Sequence, residues 1–196
     1  MTARPTCPIS DGEGRTIVSK PKIALASLAL LLIPGTAVAQ ATILPAQRDA
    51  VFISKDAFAR ALAARVGGTG MGAVGAVRAG DDRINVDVLR RDTPDEAPVI
   101  HAVVTEIYYI LEGGGDFATG GTLVDPRPMM NNGKPSNPAS IGPSEKGTGV
   151  SGGTSHHVAA GDVVMIPPNV VHGFTRLDGR VTYMVVRVNP GYERGK

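Results

Sequence analysis

Three side chains of this chain have the types and spacing to share a divalent metal ion: His101, Glu106 and His172. Two imidazoles and one carboxylate supply converging lone pairs and leave coordination positions open for water, dioxygen or a substrate. Such a set accepts iron, manganese, nickel, cobalt or zinc, so the expected cofactor is one divalent transition metal of unassigned identity. His101 and Glu106 are five residues apart, an odd spacing that would send them to opposite faces of a straight strand. The chain must turn or bulge between them.

Other side chains have readings beside these. Tyr108, two residues after Glu106, shares its inward face, and Tyr109 points away. A phenol there is a candidate acid, base or hydrogen-bond donor, or else a core aromatic with its hydroxyl satisfied. Arg176 lies four residues after His172, on the same side of a regular strand. It is a candidate to bind a substrate carboxylate, against the plainer reading of a surface ion pair. His156 and His157 are adjacent, so at most one can face inward; His157 is a candidate extra ligand, and an exposed imidazole otherwise.

The two segments run from His101 through Glu106 to Gly113, and from Gly161 through Pro167 and Asn169 to His172. Together they resemble the two motifs of the cupin superfamily over roughly Arg83 to Val188. The resemblance implies an all-β fold, the double-stranded β-helix or jelly-roll barrel, with a metal inside it and a homodimer as the common assembly. It equates His101 with the second histidine of the first motif, and Val99 stands where most metal-binding members carry the first. Asn169 replaces a usual glycine, and Arg176 a usual asparagine. The family includes dioxygenases, isomerases, lyases and binding proteins without catalysis. Three readings follow: a metal-dependent enzyme acting on a small polar or carboxylated molecule, a periplasmic small-molecule binding module, or a metal-free interaction domain.

The elements that must position these residues are mostly short strands. With 42% hydrophobic and 19% charged residues, 25 glycines and 15 prolines, the 196-residue chain fits one β-rich domain. Ile84, Val86 and Val88 alternate with Asn85, Asp87 and Leu89 and predict a strand with one buried face. Further strands are expected at 106–111, 115–119, 162–166, 171–176 and 181–188. Ser54 is placed to cap a short helix reaching Arg65 and ended by Gly67-Gly68, and 69–80 is too glycine-rich to assign. The segment at about 119–155, dense in Gly, Pro, Asn and Ser, is expected to be a long surface loop, with a lid over the pocket as one role. The barrel is expected over 81–190, preceded by an arm and helix over 40–80.

Residues 1–39 read as a secretory leader: Lys20 and Lys22, an apolar run from Ile23 to Ile33, then Ala37-Val38-Ala39 before Gln40. The run is shorter than the roughly 20 residues a membrane span needs, so no anchor is expected after cleavage. Val18 is an alternative start. Removing the leader takes away Cys7, the lone cysteine, and the excess of Lys and Arg over Asp and Glu. A near-neutral mature chain without a basic stripe excludes nucleic acid as the expected partner. The expected location is the periplasm or outside the cell.

Overall fold

The computed structural model describes residues 49–63, 70–94 and 97–194. The leader and Gly67-Gly68 lie outside the described residues. Helix α1 (Lys55–Ala63) starts where the sequence places it, with the Ala57 amide donating to the Ser54 hydroxyl at 3.3 Å. The glycine-rich stretch that follows, unassigned from sequence, is strand β1 (Gly70–Ala79), which forms an antiparallel hairpin with β2 (Asp82–Arg91). Ala61 of α1 lies against Gly72, so the small residues of β1 let the helix approach the sheet closely.

Strand β3 (Val99–His101) precedes two elements that carry the barrel: β4 (Thr105–Thr119) and a second long strand, Val181 to Asn189 at its end, that runs antiparallel beside it. Between them in sequence come β5 (Thr122–Val124), β6 (Arg127–Pro128), β7 (Met130–Asn131), β8 (Lys134–Pro135), helix α2 (Pro138–Ile141), β9 (Ser144–Lys146), β10 (Gly149–Ser151), β11 (Thr154–Ala159) and β12 (Val163–Ile166). The last strand is β13 (His172–Asn189). It pairs with β2, β3 and β4, while β11 and β12 line up on the other edge of β4. This is the all-β double-stranded β-helix expected from the motifs.

Two expected gaps between strands are absent. Residues 112–114 and 177–180 stay within β4 and β13, and the chain bends there through register shifts at Phe174/Arg176, Leu177/Val181 and Thr182/Tyr183. Bulges of this kind curl a sheet without ending its strands. Gly113 permits the closest approach: its φ is 72°, and a Cβ there would lie 1.8 Å from the Arg180 carbonyl oxygen.

The 119–155 segment is likewise no plain loop. β5 pairs with β10, β7 with β8, and β6 with β9, which in turn extends the main sheet through β3. Its Asn and Asp residues occupy left-handed turn positions at Asp125, Asn132 and Asn137, and the segment buries Ser140 and Ile141. Turn-forming residues here organise a folded insertion.

Strand β2 is buried on both faces where one was expected. Asn85, Asp87 and Leu89 turn toward the site at 6%, 3% and 4% exposure, and on the opposite face Val88 is fully buried while Ile84 and Val86 are half-buried. Arm residues Val51 and Ile53 lie beside Ile84 and Val86 on that outer face, and α1 packs on the same hairpin, so both faces of β2 lose water. The polar inner face serves the site. The remaining interior is aromatic: Tyr108 stacks on Tyr183 with centroids 4.8 Å apart, and Phe117 meets Phe174 edge-on at 4.8 Å. Edge and offset contacts like these are the favoured geometry for buried rings.

Candidate metal centre

His101 ends β3, the chain turns over 102–104, and Glu106 enters at the start of β4. The odd spacing is therefore resolved by a turn and not by a bulge. That turn contains poor turn formers, but Val104 is buried beside Gly142 and the Ala102 amide donates to the Pro143 carbonyl at 2.9 Å. Tertiary packing holds what local propensity would not. The second motif supplies a further clamp, since Asn169 adopts φ 61° and its amide donates to the His101 carbonyl at 2.9 Å. Asn is among the few residues that accept this left-handed conformation readily.

The three expected ligands converge. His101, Glu106 and His172 are all buried, at 5%, 0% and 2% exposure, and offer one atom each within 4.8 Å of one another. Glu106 Oε2 lies 2.8 Å from His172 Nε2 and 3.5 Å from His101 Nε2. Donors about 2.1 Å from a common ion would be separated by about 3.0 Å at right angles and about 3.4 Å at the tetrahedral angle. The observed separations bracket these values.

The partners behind the rings decide what faces the centre. The Ser144 hydroxyl donates to the Ile141 carbonyl at 2.8 Å, so at 2.7 Å from His101 Nδ1 it accepts that ring's proton. His172 Nδ1 lies 3.0 Å from the Val170 carbonyl, which can only accept. In the neutral rings both Nε2 atoms therefore point lone pairs at Glu106. Although His172 Nε2 is close to the carboxylate, it has no hydrogen-bond partner of acceptable geometry. A buried nitrogen lone pair set against a carboxylate oxygen is repulsive unless a cation lies between them. Histidines fixed through Nδ1 in this way are typical of metal ligation.

Charge points the same way. Burial holds the His101 imidazole down to about 4 from its usual 6.5, against the raising effect of Glu106, with His172 and Arg187 adding to the depression. For Glu106 burial alone would raise the carboxyl, but the close approach of His172 and the positive charge of Arg187 hold it well below the usual carboxylate range. Arg187 Nε donates to Glu106 Oε1 at 2.6 Å, and its Nη1 to Asp87 Oδ2 at 2.5 Å. Two carboxylates around one guanidinium leave a formal negative charge for a further cation. Ser140 of α2 donates to Asp87 at 3.0 Å, and Asn85 and Asn189 both donate to the Ala139 carbonyl. The insertion is thus wired to one ligand through Ser144 and to another through Ser140, Asp87 and Arg187.

Val99 shares the face of β3 with His101 and lines the same cavity. It offers no lone pair and adds an apolar wall beside His101. Tyr108 is buried as expected, its hydroxyl 3.4 Å from Glu106 Oε2 and its ring edge-on to His172 at 6.0 Å.

Two expected residues lie elsewhere. Arg176 is on the outer surface, bonded to Asp116 at 2.7 Å and to Asp178. The bulge between Phe174 and Arg176 shifts the register by one and reverses the face that regular alternation predicts. His157 is also outside, 3.0 Å from Asp116 and 3.2 Å from Asp178, and is no ligand of the buried set. Together Arg176 and His157 hold the Asp116 carboxyl down to about 2. Arg187, Asp87 and Ser144 were not singled out from the sequence. Arg187 could have been found by parity, because it continues the inward series Val181, Tyr183, Val185, and a cation on an apolar face needs a buried partner.

No family model matches the chain, and no curated protein matches it. Solved structures do. An uncharacterised protein with a double-stranded β-helix domain from Klebsiella pneumoniae is 16% identical with a TM-score of 0.42, covering 73% of this chain and 92% of its own. A predicted oxalate decarboxylase from Thermotoga maritima is 15% identical with a TM-score of 0.37, covering 62% and 80%. Pac13 of Streptomyces, described as a nucleoside dehydratase, is 16% identical with a TM-score of 0.36, covering 63% and 70%. At this distance none carries a residue's role to this chain.

Proposed function

We propose that this chain is a metal-dependent cupin that binds a small polar or carboxylated molecule at an ion held by His101, Glu106 and His172, and that it is an enzyme. The supporting observation is that hydrogen bonds at both Nδ1 atoms leave two Nε2 lone pairs facing Glu106. A divalent metal there would polarise a bound oxygen or carbonyl, or engage dioxygen. The protein's own part is to orient and to move protons. Tyr108 lines the cavity beside His101 and can exchange a proton with a bound molecule, while Arg187 keeps Glu106 ionised. The leader would send the chain to the periplasm or beyond.

Metal analysis of the purified mature protein tests the reading. About one equivalent of a divalent transition metal per chain is expected after loading, and His101→Ala should abolish it. Full occupancy in that variant would sink the proposal. Oxygen consumption and product analysis with small organic acids then separate turnover from binding, since a ligand returned unaltered would make this a binding protein.

We also propose a homodimer. Tyr109, Leu111, Val163 and Met165 are exposed on adjacent strands of β4 and β12, with Tyr109 paired directly to Val163. An uncharged apolar sheet face suits an equally uncharged partner, and a second copy offers the same surface across a twofold axis.

A further inference from the structure

We infer that Ser136 and Asn137, on the insertion, are the recognition pair of the cavity beside the metal centre, and that the molecule bound there carries an uncharged hydroxyl or carboxamide at the end that does not meet the metal. The inference rests on the metal-site reading and adds the ligand's chemical class.

The cavity measures about 180 Å³. A water molecule takes about 30 Å³ in the liquid, so the space admits a small organic molecule and nothing of nucleotide size. His101 and Tyr108 border it from the metal side, Leu89 and Val99 give it apolar walls, and Ser136 and Asn137 reach it from the insertion.

The backbone of the pair is committed and its side chains are not. The Ser136 amide donates to the Met129 carbonyl at 2.9 Å, and the Asn137 carbonyl accepts the Ser140 and Ile141 amides at 3.0 Å each. Asn137 stands just before α2, where an Asn side chain ordinarily accepts a helix amide. At φ 43° and ψ 57° it makes no such capping bond. Neither side chain has a hydrogen-bond partner among the described residues. The other hydroxyls that the insertion turns toward the site are spent, Ser140 on Asp87 and Ser144 on His101 and the Ile141 carbonyl.

Ser136 is half-buried and Asn137 exposed, so both meet water until a ligand displaces it. A hydroxyl and a carboxamide each donate and accept. The same groups on a ligand answer both roles. A carboxylate only accepts, and it would bring into an apolar-walled space a charge that neither side chain neutralises. The metal takes the other end of the molecule, for which a carboxylate oxygen is suited.

Calorimetric titration of the metal-loaded protein with 4-hydroxybutyrate and with pentanoate, which has a methyl group in place of the hydroxyl, tests this. Succinamate and succinate repeat the comparison with an amide against a second carboxylate, and metal stoichiometry and melting temperature are measured in every variant. 4-Hydroxybutyrate should bind about tenfold or more tighter than pentanoate, and succinamate tighter than succinate. Ser136→Ala and Asn137→Gly should each weaken 4-hydroxybutyrate about three- to tenfold, leaving pentanoate within about twofold and metal stoichiometry unchanged. Glycine is chosen because it keeps the left-handed backbone while removing the amide. Equal or tighter binding of pentanoate would overturn the inference, as would succinate binding tighter than succinamate, or variants that bind 4-hydroxybutyrate like the wild type. So would a panel giving no binding up to about 10 mM, weaker than any specific small ligand. The wild-type comparisons decide the matter even where a variant melts early. Should the wild type take up no metal, the metal reading fails alone; the same titrations on the metal-free protein then decide the pair.

Discussion

Replacing Arg187 with methionine would leave Glu106 and Asp87 facing one another in the barrel interior without the cation between them. Arg187 is 3% exposed and bonds both carboxylates, at 2.6 Å and 2.5 Å, while Glu106 and Asp87 are 0% and 3% exposed. Removing one partner from a buried ion network costs about 3–5 kcal/mol, because the remaining charge is left unpaired out of water. For a domain of this size each kcal/mol lowers the melting temperature by about 2–4 °C, so a fall of about 6–20 °C is expected. Thermal unfolding of the metal-free protein, followed by circular dichroism, measures it. Saturating divalent metal should narrow the gap, since an ion at Glu106 then supplies the missing positive charge. Adding Asp87→Asn to the variant should restore part of the loss, as two coupled charges require. A melting temperature within about 2 °C of the wild type, or a gap that widens with metal, would refute the electrostatic account.

Ser144→Ala removes the acceptor that holds the His101 ring; metal affinity should fall about 10–100-fold with both imidazoles present, and competition with a chelating dye reads this directly. The low pKa of His101, about 4 against 6.5, means that the unfolded chain takes up a proton in that window and the folded one does not. Stability of the metal-free protein should therefore fall as pH drops from 7 to 5, by an amount of order 2 kcal/mol that His101→Gln removes, as denaturant titrations at the two pH values would reveal. His157→Ala should leave metal affinity unchanged, because that ring sits on the surface with Asp116 and Asp178; a marked loss by the same dye competition would contradict its placement. Light scattering on Leu111→Glu with Met165→Glu should give a monomer where the wild type gives a dimer.

The ligand set, the all-β fold and the turn at Asn169 were legible in the sequence, because each depends on residue type and short-range spacing. Imidazole and carboxylate chemistry is fixed by identity, and Asn in a Pro-Pro-Asn segment accepts a left-handed turn whatever surrounds it. Tyr108 could also be placed, since alternation holds from Glu106 along a regular stretch of strand. Alternation failed where the backbone broke step. The bulge after Phe174 carried Arg176 outward, and the covering of the outer face of β2 by α1 and the arm released Asn85 and Asp87 to face inward. The insertion misled for a different reason: turn-rich composition reports where a chain bends, not whether the bends pack, and only contacts with β2, β3 and β13 make Ser140 and Ser144 part of the site. Which residues can ligate is a property of their atoms. Which of them meet is set by the tertiary packing, and which proton His101 keeps is set by Ser144, 43 residues away, whereas the His172 ring is held locally by the Val170 carbonyl.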